Sequence, residues 1–351
     1  MEEIWWERIP NALAFISDIV DALINEKSIV LQYSSEIPWY RYMVCKIKEE
    51  VDSKDFLKNF EDIEATNDPG RYMLEEYCKY EIRAKYRPTK SYARFLAEND
   101  DIVLHQRYLW IHSSSMEEVN AWQDVVSEYL KCRPNDKERA VFIIECNDGD
   151  PIRPRKGIKP ISYDRYISDY DRSLFAMLSS STVPERPIIK SYLAELSAIV
   201  LGNDIELCAE CLKDYSSFLE DAYLRIEKVI EDSCKSDGTS FNFPYSREEI
   251  KNSIWRAQIK TIYPLLEEYR EDFVKRYRPA IQKELPITSS FGEQYAEVEE
   301  VELGTLAFMA DSGRLFLSDK ESKALHTHKD ARNKLSHLNI LSFEEIQLLF
   351  Q

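Results

Sequence analysis

The segment "ARNKLSHLN", residues 331–339, contains the side chains of this sequence that are best suited to chemistry on a phosphate group. Arg332 and His337 stand in it with four residues between them. A histidine exchanges protons near neutral pH, and an arginine offers a planar cationic fork to a phosphate. Such a pair can promote attack of an RNA 2′-hydroxyl on the adjacent phosphodiester without a metal ion. The first question is therefore whether this segment is half of a nuclease site or only the polar end of a helix.

The stretch "ARNKLSHL" (331–338) resembles the R-x4-6-H motif of HEPN domains, which are small helical bundles, many of which cut RNA. Arg332, Asn333 and His337 match the motif, with the apolar Leu335 between them. The resemblance covers only the last part of the chain. It implies that His337 is the general acid or base, that Arg332 holds the phosphate, and that Asn333 orients the site through a hydrogen bond.

Helical geometry restricts how these residues could act. Positions five apart on a straight helix point roughly 140° away from each other, because each residue turns the helix by about 100°. Arg332 and His337 therefore cannot reach one phosphate if a single helix runs through both. HEPN nucleases usually form one composite cleft from two copies of the motif. The resemblance thus implies that activity would require a homodimer.

Two other interpretations of the segment stay open, namely a non-catalytic HEPN-like module and a chance match. Cationic side chains are favourable at the carboxyl end of any helix, and Asn333 and His337 could simply bond to each other as i,i+4 neighbours. Residues 281–351 carry 7 Lys and Arg against 12 Asp and Glu, a net charge of −5, which suits RNA poorly. His328 shares the apolar face with Ala331 and Leu335, so we expect it to be packed rather than catalytic.

The elements that would position such residues follow from apolar periodicity. Continuous apolar runs predict strands at 28–32, 107–112 and 140–146, and the amphipathic segment 116–131 between the last two predicts a helix. Ser115 and Glu118 form a capping-box pattern at its start. This strand–helix–strand order predicts a small, mainly parallel sheet with flanking helices, followed by a helical region, so the fold class is α/β plus α.

The predicted domains are an α/β domain at 1–181, a helical region at 182–285 and a C-terminal helical segment at 286–351, either separate or packed with 182–285. Within these domains, the residue pattern predicts helical structure at 203–233 and a linker at 278–294. The stretch "DPIRPRKGIKP" (150–160) reads as a loop. Helices are expected from about Ser318 to His337 and from about Ser342, where Glu345 completes a capping-box pattern.

The layout of the first half resembles an AAA+ or STAND-type ATPase core. A phosphate-binding loop needs glycines and a lysine. The loop after the first strand, "YSSEIPWYR", has neither, and Glu36 would repel phosphate. The second predicted strand ends at His112, where such an ATPase would carry acidic residues. The resemblance therefore implies a degenerate core that has lost nucleotide hydrolysis. An unrelated α/β domain is the alternative.

The composition narrows the class of protein. The net charge is −17, from 46 Lys and Arg against 63 Asp and Glu, so the chain repels nucleic acid at long range. Seven cysteines without a paired pattern suggest a reducing compartment. The acidic N-terminus is unlike a signal peptide, and no apolar stretch is long enough to span a membrane. We expect a cytoplasmic protein with no cofactor and no metal site.

The sequence thus predicts a cytoplasmic sensor or effector of a conflict or stress system. It would join an inactive ATPase-like domain to a HEPN-like C-terminus that could cleave RNA as a dimer. Any enzyme activity would be that of a metal-independent endoribonuclease, with RNA, a second copy or another protein as the partner, and no membrane. The alternative is a non-enzymatic interaction protein or scaffold that uses some of its 21 tyrosines at an interface.

Overall fold

The computed structural model describes residues 1–113, 115–134, 138–288, 292 and 294–350. The chain forms two compact units. Unit 1 contains residues 1–171 and 236–238, and unit 2 contains residues 172–235 and 239–351. No helix in the described residues is long and apolar enough to cross a membrane. The three-part domain division stays a prediction.

Unit 1 is built on a five-stranded sheet whose described pairings are all parallel, in the order β2-β3-β4-β1-β5. This sheet, with its flanking helices and the helical unit 2, confirms the α/β plus α fold class. The strands are β1 (Ser28–Gln32), β2 (Asn59–Glu64), β3 (Arg107–His112), β4 (Val141–Cys146) and β5 (Ile158–Ser162).

The three interior strands are the three that the apolar runs predict. All six residues of β4 are buried, as expected for a parallel strand with helices on both faces. The edge strands β2 and β5 were missed. β2 has one fully buried side chain, Ile63, and β5 contains Pro160. The predicted loop at 150–160 is therefore wrong at its end, because β5 begins at Ile158.

The helices of unit 1 pack around the sheet, and its core includes Trp110, Trp122, Tyr129 and Phe142. The hydroxyl of Ser115 accepts the N–H of Glu118 at 3.3 Å, which confirms the predicted helix start. The helices are α1 (Glu2–Arg8), α2 (Pro10–Ile24), α3 (Tyr40–Asp52), α4 (Pro69–Tyr77), α5 (Tyr80–Arg83), α6 (Tyr92–Glu98) and α7 (Met116–Cys132), with a 3-10 helix at Tyr163–Arg165.

The described strands of unit 2 form a short antiparallel pair, β6 (Ile287–Thr288) and β7 (Gln294–Tyr295), and its other regular elements are helices. Its helices are α8 (Asp169–Ser181, which contains the unit boundary), α9 (Pro187–Leu201), α10 (Ile205–Leu212), α11 (Tyr215–Glu220), α12 (Ala222–Asp232), α13 (Arg247–Thr261), α14 (Tyr263–Gln282), α15 (Leu303–Asp311), α16 (Asp319–Ser336) and α17 (Phe343–Leu349), with a 3-10 helix at Val298–Glu300.

The structure refines one prediction for unit 2 and corrects another. The segment 203–233 is helical, as predicted, but it forms three helices, because Asp214 and Asp221 each cap a new helix start with a side-chain oxygen. The predicted linker at 278–294 is helical at its start, because α14 continues through Pro279 to Gln282. The first difference comes from side-chain caps that composition does not reveal, and the second from a proline that lies inside the helix.

Candidate functional site

The C-terminal motif lies at the end of α16, a helix that begins with a complete capping box. The Glu321 N–H donates to the Ser318 hydroxyl at 3.3 Å, and the Ser318 N–H donates to the Glu321 carboxylate at 3.1 Å. The buried face includes Ala331, Leu335 and His328. These contacts confirm the predicted helix and fix the rotation of the motif about its axis.

His328 is a packed histidine, as the sequence predicts. Its ring stacks on Tyr269 with 3.6 Å between centroids, and Nδ1 lies 2.8 Å from the carbonyl oxygen of Ala324. Burial lowers its pKa, although the hydrogen bond to the carbonyl opposes that shift. The ring is therefore disfavoured as a cation and contributes to packing.

The helix ends in a Schellman motif with His337 as its C-cap residue. The Leu338 N–H donates to the Leu335 carbonyl at 3.2 Å, and the Asn339 N–H donates to the Lys334 carbonyl at 2.9 Å. Leu338 adopts the left-handed conformation with a φ of 59°, where glycine is the usual residue. The helix therefore runs unbroken through Arg332 and stops at His337.

Helix α13 holds this end of α16 in place. Trp255 donates its indole N–H to the Leu335 carbonyl at 2.9 Å. Gln258 is fully buried, and its side-chain amide both donates to the Leu341 carbonyl and accepts the Leu341 N–H, each at 2.8 Å. The same amide donates to the Tyr192 hydroxyl at 3.1 Å. His337 thus lies between two backbone segments that are anchored to the core of unit 2.

The three candidate catalytic residues point to different surroundings. Arg332 pairs with Glu302, at the start of α15, at 3.0 Å. The Asn333 carbonyl accepts the backbone N–H of His337 at 3.1 Å, but no hydrogen bond joins their side chains. His337 is exposed, and its ring makes no hydrogen bond to any residue that the structure describes. The structure therefore does not bring Arg332 and His337 together within one chain.

The cleft beside Arg332 is acidic. It measures about 150 Å³, and Arg332 shares its lining with Arg270, Leu303 and four glutamates, Glu267, Glu299, Glu300 and Glu302. His337 is not among the described residues that line it. Because glutamates outnumber arginines there, the cleft is a poor environment for a phosphodiester. Arg332, the residue of the motif that lines this cleft, is thus held in an ion pair with Glu302.

A second candidate region lies at the carboxyl edge of the sheet in unit 1. Strand β1 lies between β4 and β5. The chain leaves β1 toward β2 on one side and leaves β4 toward β5 on the other, so its direction reverses between β1 and β4. In open α/β sheets, the crevice outside the carboxyl ends of strands at such a switch point is the usual ligand site.

Around the carboxyl end of β1, the chain's own groups bond to one another on the β4 side and on the β5 side. The Gln32 side-chain amide donates to the carbonyl oxygens of Asp148 at 3.0 Å and Asp150 at 2.7 Å. The Ser34 N–H and hydroxyl donate to one oxygen of Asp164 at 2.7 and 2.8 Å. The N–H of Ser35 (at 3.4 Å) and its hydroxyl donate to the other oxygen. Burial raises the pKa of Asp164, but these hydrogen bonds outweigh it and lower the pKa overall.

Next to the crevice, a buried carboxylate that the sequence reading missed collects four donors. Glu145 on β4 is 5% exposed. It accepts hydrogen bonds from the Trp110 indole at 2.5 Å, from His112 Nδ1 at 3.0 Å, and from the hydroxyls of Tyr33 and Tyr40. One signal for it is present in the sequence, because Glu145 is the only charged residue in the run "AVFIIEC". A charge in a buried strand requires partners.

His112 connects this carboxylate to the edge strand. Its Nε2 lies 3.4 Å from Asp62 on β2, while Nδ1 bonds to Glu145. The hydrogen bond to Glu145 raises the pKa of His112, although burial partly opposes it. The cluster therefore ties β2, β3 and β4 together at their carboxyl ends. Because every member has a partner, the arrangement is better suited to holding strands than to binding a ligand.

Comparisons with known proteins add little to this geometry. No protein-family model matches the chain, and no curated protein matches it. One similar solved chain belongs to "Structure of Drosophila ORC bound to DNA". The match covers 100% of this chain and 90% of that chain, with 12% identity and a TM-score of 0.33. A TM-score this low does not define a shared fold.

Proposed function

We propose that this protein is a cytoplasmic sensor or adaptor of a conflict or stress system, and that its ATPase-like unit 1 does not hydrolyse nucleotide. The observation that carries the proposal is the loop after β1. The N–H groups of Ser34 and Ser35, which a phosphate would need, donate to the Asp164 carboxylate instead. The loop also has no lysine and no glycine, so it lacks the usual contacts to phosphate.

The layout of unit 1 supports an ATPase-like ancestry without supporting activity. Its parallel sheet and switch point suit a nucleotide fold. At the end of β3, however, His112 occupies the place where the resemblance implies acidic catalytic residues, and it is bound to Glu145. Both positions are therefore engaged in internal bonds, which disfavours nucleotide hydrolysis in unit 1.

Nucleotide titration of the full chain tests this proposal. We expect no ATP binding tighter than millimolar by calorimetry and no magnesium-dependent phosphate release above a protein-free blank. Binding in the micromolar range would contradict the proposal, because it would require the Ser34–Ser35 turn to leave Asp164.

A second candidate function is RNA cleavage by a homodimer through the HEPN-like motif. The exposed ring of His337, with no hydrogen bond among the described residues, favours it, since a general acid or base must be accessible. Arg332 would have to leave Glu302 or come from the other copy. Against this, the acidic cleft makes a non-catalytic interaction module the better-supported reading.

Light scattering and an RNase assay separate these two readings. A nuclease should be dimeric, and His337→Ala should lose cleavage while Ser336→Ala, a change at the neighbouring exposed residue, should retain it. We expect both variants to unfold within about 0.5 kcal/mol of the parent, because the two side chains are exposed. Cleavage that survives in His337→Ala, or a strict monomer, would rule out the composite site.

A further inference from the structure

The turn after β1 has the donor arrangement of an oxyanion site. Two backbone N–H groups and two hydroxyls, all from Ser34 and Ser35, converge on the two oxygens of Asp164. These residues are 129 and 130 positions apart from Asp164, so the arrangement comes from the fold and not from a local turn. Successive N–H groups of this kind form anion-binding concavities in proteins.

Access from solvent is open at this turn. Ser34 and Asp164 are both exposed, and Ser35 is partly exposed. Gly149 approaches the turn closely, since a Cβ at that position would lie 3.3 Å from the Ser34 Cβ. Once the Asp164 carboxylate is removed, a small solute can therefore reach the donors, while the neighbouring chain leaves little room for a large one.

We propose that the Ser34–Ser35 turn is a binding site for a small oxyanion and that the chain's own Asp164 carboxylate is its resident ligand. The inference rests on the same loop as the proposed function and deepens it. It assigns a ligand class to the turn, namely a carboxylate-like monoanion.

The acidic residues around the turn determine which oxyanions can bind there. Glu36 follows the two serines in the same loop, and Asp148 and Asp150 lie in the loop that Gln32 holds against the end of β1. Among the described residues, no lysine or arginine side chain bonds to Ser34, Ser35 or Asp164, and the four donors are neutral. A monoanion such as acetate is therefore favoured over phosphate or polyphosphate, whose extra charge would meet these carboxylates.

Chemical rescue tests the assignment. Asp164→Ala removes the charged acceptor of four hydrogen bonds and leaves their donors to water, so its Tm should fall. Acetate should restore at least half of the lost Tm, compared with chloride at equal ionic strength. The wild-type Tm should not respond differently to the two salts, because its site is filled. Phosphate should restore less than acetate, and an equal or larger effect of phosphate would overturn the monoanion assignment.

Three further variants keep the test decisive. Asp150→Ala is a matched control, because this exposed aspartate makes no side-chain hydrogen bond among the described residues, and it should show no acetate effect. In the Asp164→Ala background, Ser34→Ala should weaken the rescue. If Asp164→Ala does not fold, Asp164→Asn, which keeps one acceptor oxygen, should show a smaller Tm loss and a smaller acetate effect.

The inference fails if acetate raises the Tm of the wild type, Asp150→Ala and Asp164→Ala equally, or if Asp164→Ala folds and does not respond. These outcomes are distinguishable from failure of the proposed function. Tight ATP binding by the wild type would contradict the proposed function, whereas absence of acetate rescue in the variant would contradict only the ligand assignment.

Discussion

Two histidines, one in each unit, show how differently the same side chain can be placed. His112 lies partly buried between the carboxylates of Glu145 and Asp62, and its pKa is raised. His337 caps a helix, is exposed, and has no hydrogen bond from its ring among the described residues. His337 lies within a recognisable motif, yet its ring bonds to no described residue. His112 lies in no motif, yet both of its ring nitrogens have carboxylate partners. A sequence motif therefore identifies a side chain without telling whether the fold uses it.

The strongest test of this contrast is to remove the acceptor at the centre of the engaged cluster. Glu145→Ala leaves the donors of Trp110, His112, Tyr33 and Tyr40 without their common partner in a buried place. We expect unfolding to become easier by roughly 3 kcal/mol, measured by urea denaturation. Glu145→Gln keeps one acceptor oxygen and should lose less. A loss below about 0.5 kcal/mol for the alanine variant would show that the cluster does not hold the strands.

The next largest effect concerns the segment that follows the exposed histidine. Gln258→Leu removes the amide that pairs with both backbone groups of Leu341 and leaves them buried without partners. We expect a loss of about 2 kcal/mol in the free energy of unfolding. The control is Gln347→Leu at an exposed position, which should change stability by less than about 0.5 kcal/mol. Equal effects would mean that the helix end is not anchored by α13.

A gain in stability is expected one residue beyond His337. Leu338 has a φ of 59° and is 68% exposed, so glycine relieves backbone strain and gives up little buried surface. Leu338→Gly should stabilise unit 2 by about 1 kcal/mol. Leu348→Gly, within helix α17 and 44% exposed, should instead destabilise it by about 1 kcal/mol. The same sign for both variants would argue against the Schellman geometry.

The smallest expected effect is the contribution of His112 to the pH dependence of stability. The folded pKa of His112 is raised, so its stabilising contribution is complete below the unfolded value of about 6.5 and is lost as pH rises through the folded value. The groups that face it are Glu145 and Asp62, and Lys48 in turn pairs with Asp62 at 2.6 Å. Urea midpoints between about pH 5.5 and 8.5 should therefore fall more for the wild type than for His112→Asn. Parallel curves would contradict this.

The parts of the fold that apolar patterning determines could be predicted from the sequence. The interior strands β1, β3 and β4 are continuous apolar runs, and the start of α16 and of α17 follows from side-chain caps at Ser318 and Ser342. The edge strands could not be predicted, because they bury one face at most. Asp62 and Glu64 in β2 and Pro160 in β5 favour a loop assignment when tertiary contacts are unknown.

For the candidate sites, the sequence predicts which residues could do chemistry but not which contacts those residues make. The sequence identifies Arg332 and His337 as candidate catalytic residues. Helical geometry predicts that their side chains do not meet within one chain, and the structure agrees. The sequence does not show that Arg332 pairs with Glu302, 30 residues earlier, or that Ser34 bonds to Asp164, 130 residues later. Such contacts depend on which helices and strands become neighbours in the fold. Residue patterns in a single sequence do not reveal these neighbours.

The two edge strands have a consequence for how this protein can associate with itself. An exposed strand edge can pair with the edge of another molecule unless charges or a proline oppose it. β2 presents Glu61, Asp62 and Glu64, and β5 contains Pro160, which has no N–H to donate. Two copies are therefore discouraged from joining their sheets into one. If the protein dimerises, we expect the contact to be made by helices, and the sheet edges to protect it from aggregation.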